Sequence, residues 1–175
     1  ENIISKEELM NFLRALTLEI KQQDKDLKKL QLTDTTAVPD YFDAQNDILY
    51  ILLNTHLRLP IRNELHQLVL GKKNKMNDLT KNYLYKDGKD WFIVRNVYKT
   101  ADSQVSGGQK IDKLQPELAK MYNKYVKKYN LKEGNLIFQT INTSQKYSSL
   151  LSEFFYKRSG KKISSTMLTK IINEL

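Results

Sequence analysis

Along the N-terminal part of the chain, apolar residues recur with a helical period. Leu9, Phe12, Leu13, Leu16, Ile20, Leu27 and Leu30 stand three or four residues apart for the most part, a spacing that keeps one stripe of a helix apolar. Ser5-Lys6-Glu7-Glu8 precedes them as a capping box, in which serine and glutamate satisfy backbone N–H groups that the first turn leaves open. The pattern predicts a long amphipathic helix over 5–31, with Asp24 placed where it would break. Thr33 to Pro39 is a polar linker. A second helix is expected from Asp43 to Leu57, with Ile48, Leu49, Ile51, Leu52 and Leu53 buried. A third is expected from Pro60, whose missing N–H costs nothing at a first helical position, to Gly71.

The period then shortens to two. Asn82 to Tyr85 and Trp91 to Tyr98 are β-rich runs on either side of Asp87-Gly88, a strong hairpin signal. Ala101 to Gly108 reads as a Ser/Gly loop and Gln109 to Leu114 as a third strand. Pro116 opens a helix to Tyr129, and Leu136-Ile137-Phe138 is a short apolar segment. Ser144 to Arg158 predicts a helix that turns Leu150, Leu151, Phe154 and Phe155 inward and packs Tyr147 and Tyr156 in the core. Gly160 ends it, and Ser164 or Ser165 caps a last helix to Leu175. The expected fold class is α+β, mainly α-helical with one small three-stranded antiparallel sheet. The expected division is an N-terminal helix and linker over 1–38 and a single domain over 39–175.

Composition narrows the function. The 175 residues carry a formal charge of +9. Lysine clusters stand at Lys72-Lys73-Lys75, at Lys124, Lys127 and Lys128, and at Lys157-Arg158 with Lys161-Lys162. That balance favours a polyanionic partner, nucleic acid above all, although an AT-rich coding bias also enriches Lys, Asn, Ile and Tyr. Cysteine is absent, which removes disulfides, thiolate metal sites and a cysteine nucleophile. His56 and His66 stand alone as imidazoles, so neither a zinc site nor any cofactor is expected. No apolar run reaches the length of a membrane span and no signal peptide is visible. The chain is therefore expected inside the cell and away from membranes, not secreted.

Two side chains stand out chemically. Arg62, with Glu64, falls at the start of the expected third helix. A guanidinium at the positive end of a helix dipole suits an anionic partner better than a structural role; the alternative is a surface arginine paired with Glu64 or Asp47. Lys99 follows Tyr98 at a strand end and is otherwise an ordinary exposed lysine. Tyr98 reads as a core aromatic, with a base-stacking platform as the alternative. Asp40, Asp43 and Asp47 read as a solvated helix face, and Gly107-Gly108 lacks the helix and lysine of a phosphate-binding loop.

Three segments together resemble the catalytic domain of a tyrosine recombinase (the phage-integrase superfamily), in the divergent branch of large DNA viruses and their mobile elements. Pro60-Ile61-Arg62-Asn63-Glu64 matches a Pro-x-Arg-x-acid signature, and Asn96 to Ala101 an Asn-x-Tyr-Lys-Thr-Ala strand end. Gly108-Gln109-Lys110-Ile111, followed by Pro116-Glu117-Leu118, echoes the approach to the next strand. The likeness covers roughly 40–175. It implies metal-free DNA cleavage and rejoining, in which a tyrosine attacks a phosphodiester and two arginines hold the non-bridging oxygens. It also implies double-stranded DNA as partner, a homo-oligomer on DNA or a virion assembly, and a nucleus, viral factory or virion as location.

By this resemblance Arg62 takes the place of the first arginine, with Glu64 orienting it. Arg58, in Thr55-His56-Leu57-Arg58, competes for that place. Lys99 matches the hairpin lysine that reaches the cleavage site. Thr166-Met167-Leu168-Thr169-Lys170 aligns with the His-x-Leu-Arg-His box, so Thr166 and Lys170 take its first and closing positions. Thr169 stands where the second arginine belongs, and no tyrosine follows Tyr156. Two readings follow: an enzyme whose nucleophile lies beyond Leu175, or a non-catalytic structural or DNA-packaging descendant of an integrase. A third is a basic helical module unrelated to either.

Overall fold

The computed structural model describes residues 4–59, 63–98 and 108–173. The order of elements is α1 (Lys6–Gln31), α2 (Tyr41–Arg58), a 3₁₀ turn (Asn63–Gln67), β1 (Leu68–Leu70), β2 (Asn82–Asp87), β3 (Asp90–Arg95), β4 (Lys110–Lys113), α3 (Pro116–Lys128), α4 (Ser144–Ser159) and α5 (Ser165–Asn173). The chain divides into two compact units, Glu1–Pro60 with Leu150–Leu175, and Ile61–Ser149. The units therefore do not part at residue 38, and α1, expected as a separate helix with a linker, packs along α2.

The first unit is helical. Ser5 Oγ accepts the Glu8 N–H at 3.1 Å and Glu8 Oε1 accepts the Ser5 N–H at 3.4 Å, which completes the capping box. α1 runs through Asp24 without a break. Its apolar stripe is buried at Leu9, Leu13, Leu16 and Ile20, whereas Leu30 near its end is exposed. Asp40 caps α2 by accepting the Asp43 N–H at 2.8 Å. Ile48, Leu49, Ile51, Leu52 and Leu53 are buried as expected. Asp47, expected on a solvated face, is only 8% exposed; one turn before Ile51 and two before Asn54 and Thr55, it shares their inward face.

Phe12 of α1 meets Phe154 and Phe155 of α4 edge-on, with ring centroids 6.4 and 5.4 Å away. Arg158 reaches Glu19 at 3.1 Å. Tyr147 is fully buried, but Tyr156, also expected in the core, is 53% exposed with Lys162 Nζ 5.7 Å from its ring centre. Leu151 and Phe155 already occupy the inward face of α4, and the next residue is turned about 100° away. Ser164 caps α5, its Oγ accepting the Met167 N–H at 3.2 Å.

The second unit holds a four-stranded mixed sheet in the order β1-β2-β3-β4, not the three antiparallel strands expected. The 3₁₀ turn and the added strand stand where residues 63–70 were expected to be helical. Leu68-Val69-Leu70 pairs in parallel with Asn82-Tyr83-Leu84. On its other edge Leu68 O accepts the Ile137 N–H at 2.9 Å and the Leu70 N–H donates to Asn135 O at 2.8 Å. A three-residue apolar run carries no decisive period; partners distant in sequence satisfy both edges and settle it as strand. The β2–β3 hairpin closes at Asp87–Asp90 with Gly88 at φ 63°, a left-handed position that glycine fills without strain. α3 packs against β3 and buries Leu118, Ala119, Tyr122 and Tyr125. Among the described residues no helix is long and apolar enough to cross a membrane.

Gly71 ends β1 in a close approach. A Cβ there would stand 2.8 Å from Met76 Sδ and 2.9 Å from the Tyr83 ring. Tyr83 is buried in the cluster that it forms with Val69, Val94 and Met76, so its ring cannot swing away cheaply. Gly71→Ala should therefore destabilise the protein by about 1–3 kcal/mol, measured as a lower denaturant midpoint, whereas Gly88→Asn, which tolerates left-handed backbone, should cost less.

Candidate nucleic-acid interface

The expected site residues fall into two groups. Arg62 and Lys99 lie outside the described residues. The helix that was to give Arg62 its dipole is, from Asn63 onward, a five-residue 3₁₀ turn leading into a strand. Thr166 and Lys170 lie four residues apart on α5, and both are exposed, so they share a face of that helix. Leu168 between them is buried. Arg58 ends α2, and its Nη1 donates to Asn54 Oδ1 at 2.9 Å and to Asn54 O at 3.3 Å. It lines a groove of about 410 Å³ in the first unit, with Met10, Leu13, Arg14 and Tyr50 among its neighbours, a feature the residue pattern did not announce.

The best-defined polar construction in the second unit lies where β3 ends, just before Lys99. Asn82, 1% exposed, opens β2. Its Oδ1 accepts the N–H groups of both Asn96 and Val97 at 2.8 Å, and its Nδ2 donates to Val97 O at 2.9 Å. Asn96 in turn donates to Lys81 O at 2.9 Å, and Gln109 Nε2 donates to Asn96 Oδ1 at 2.9 Å. The backbone that leaves β3 is thus held by side-chain amides after the ladder has ended. Asparagine is depleted in strands, so a buried one at a strand start was the signal that could have revealed this clasp.

Cations gather at the same end of the sheet. Arg95 and Lys110 are cross-strand partners, a like-charge pair that would be unfavourable alone. Arg95, 5% exposed, is held by Asp112 at 3.0 Å. The Tyr98 ring receives Lys110 Nζ at 4.8 Å and the Arg95 guanidinium at 5.6 Å from its centre, both within cation–π range. The Tyr98 hydroxyl donates to Gly108 O, which ties the end of β3 to the approach to β4. Tyr98 is half-buried under these cations, so it is not the core aromatic expected.

At the other end of the hairpin, acids occupy some of the lysines. Lys73 stands 2.9 Å from Asp87, whose hydrogen bond and charge raise the lysine pKa. Lys113 lies 3.6 Å from Asp90. Among the described residues no group of three or more His, Cys, Asp or Glu is placed to hold a metal ion.

Comparison with protein-family models, with curated proteins and with solved structures found no match to this chain.

Replacing Asn82 by alanine strands two N–H groups and a carbonyl. Asn82→Ala is expected to cost about 2–4 kcal/mol in denaturant unfolding, and to lose hydrogen-exchange protection first at Asn96 and Val97.

Proposed function

We propose that this chain binds duplex DNA as a tyrosine-recombinase-like domain, with Lys99 and Arg62 as its phosphate contacts. The observation that carries the reading is the clasped strand end. A lysine that must reach one phosphodiester gains from a fixed point of departure, and Asn82 with Tyr98 supplies one immediately before Lys99. The formal charge of +9 supports the same partner class. The order of the matched segments, Arg62, then the hairpin end, then Thr166 to Lys170, supports the family likeness.

Within this reading Arg62 binds non-bridging oxygens bidentately, which lysine cannot do. Lys99 binds an adjacent phosphate or the oxygen leaving it. The likeness also assigns Thr166 and Lys170 of α5 to the closing box. Thr169 at the second arginine position favours binding over cleavage: a hydroxyl offers one short donor and no charge, and losing a single transition-state donor typically costs about 10²–10³ in rate. The chain is therefore read as a DNA-binding descendant of an integrase that does not itself cleave. A virion or packaging role fits the same chemistry.

Fluorescence anisotropy with a labelled mixed-sequence duplex tests the reading. Binding should weaken steeply between about 50 and 200 mM salt. Arg62→Ala and Lys99→Ala should each lower the salt slope by about one without a change in melting temperature. A nicked suicide substrate should yield no covalent adduct. Absence of duplex binding at the low-salt end would refute the proposal, and a covalent adduct would refute its non-catalytic part.

A further inference from the structure

The mixed sheet has one covered face and one that opens toward β4. Lys86 Nζ lies 3.5 Å from Asn123 of α3 and 5.9 Å from the Trp91 ring centre. Lys86, Trp91 and Ile93 therefore belong to the face that α3 packs against, where Trp91 and Ile93 are buried. Side chains alternate along a strand, which turns Tyr85, Phe92 and Ile111 to the other face. Near β1 that face is filled by Val69, Tyr83, Val94 and Met76. Toward β4 it is open: Ile111 is 55% exposed, and Lys113 is exposed as well.

Tyr85 and Phe92 are cross-strand partners on this face, and neither is fully buried. Tyr83 and Val94, the neighbouring pair on the same face, are sealed. The rings of Tyr85 and Phe92 are stacked, 15° from parallel with centroids 5.1 Å apart. That separation is close to the spacing of neighbouring strands, so the stack runs across the sheet and the outer face of Phe92 turns toward β4. The residue beside it there is Lys113, in an exposed pair with Asp90 at 3.6 Å, a kind of pair that opens at little cost. The loop that brings Met76 onto this face also carries Lys72, Lys73 and Lys75, all exposed. Asp87 holds Lys73; among the described residues Lys72 and Lys75 meet no acid.

We infer that the Tyr85–Phe92 stack is a site for an unpaired nucleobase, with Lys72, Lys75 and Lys113 as contacts for the adjoining phosphates. The chemistry is that of single-strand recognition, in which a base continues an aromatic stack and cations follow the backbone. A base within a duplex keeps its faces on its neighbours, so this surface selects an unpaired strand. The inference takes its partner class from the nucleic-acid reading above and adds a second form of that partner, on a face that the family likeness did not assign.

The test uses the full chain and a labelled oligothymidylate. The parent should bind it. Phe92→Leu, which keeps an apolar side chain, should lower that affinity about tenfold or more, with the slope of log affinity against log salt unchanged and duplex affinity unchanged. Lys72→Gln combined with Lys75→Gln should instead lower the slope by about 1–1.5, at about 0.7 per phosphate contact of a single strand. Phe92→Trp should keep the affinity, and oligothymidylate should quench its added indole fluorescence, a readout that does not depend on how well Phe92→Leu folds. The inference is overturned by a parent that binds no oligothymidylate at low salt, by Phe92→Leu binding it as tightly as the parent or losing duplex affinity equally, or by an unquenched Phe92→Trp. An unchanged slope in the lysine variant overturns the phosphate contacts. The duplex-binding reading stands or falls separately, on the duplex titration.

Discussion

The second unit depends on one buried amide. Asn82 occupies the first position of β2, between a parallel neighbour at β1 and an antiparallel neighbour at β3. Its side chain continues the pairing beyond the last ladder residues by holding Asn96 and Val97. An apolar residue there would fill the space but leave two N–H groups and a carbonyl without partners, a large penalty in a protein interior. The clasp therefore links the mixed sheet to the segment with the strongest candidate chemistry. Without it β3 would fray at the end that precedes Lys99.

Electrostatics separates the lysines into two kinds. Those around the hairpin turn are answered by acids: Lys73 by Asp87 and Lys113 by Asp90. Such exposed pairs contribute little to stability, but they blunt the local positive potential. Lys110 instead covers the Tyr98 ring.

The helices were legible in the sequence because their signals are local. The capping box at Ser5, the Asp40 cap, Pro116 at a helix start and the Asp87-Gly88 turn all rest on neighbours within four residues. Local pattern misleads where distant partners decide. Leu68-Val69-Leu70 became a strand because Asn82–Leu84 and Asn135–Ile137 bracket it, and nothing in its own composition says so. Tyr156 reads as a helix-face aromatic of the core, but Phe154 and Phe155 fill that space. Thr166 and Lys170 lie on the last helix, which the serine cap announces. The amide clasp was missed because an asparagine in a strand reads as a weakness until its three partners are seen.

The central proposal is that the clasped strand end meets a nucleic-acid backbone. Ultraviolet cross-linking of the full chain to a bromodeoxyuridine-substituted duplex, with adducts located by mass spectrometry, tests it most directly. The account predicts adducts in the peptide that contains Lys99. A saturated complex whose adducts all fall on α1 and α2 would contradict it.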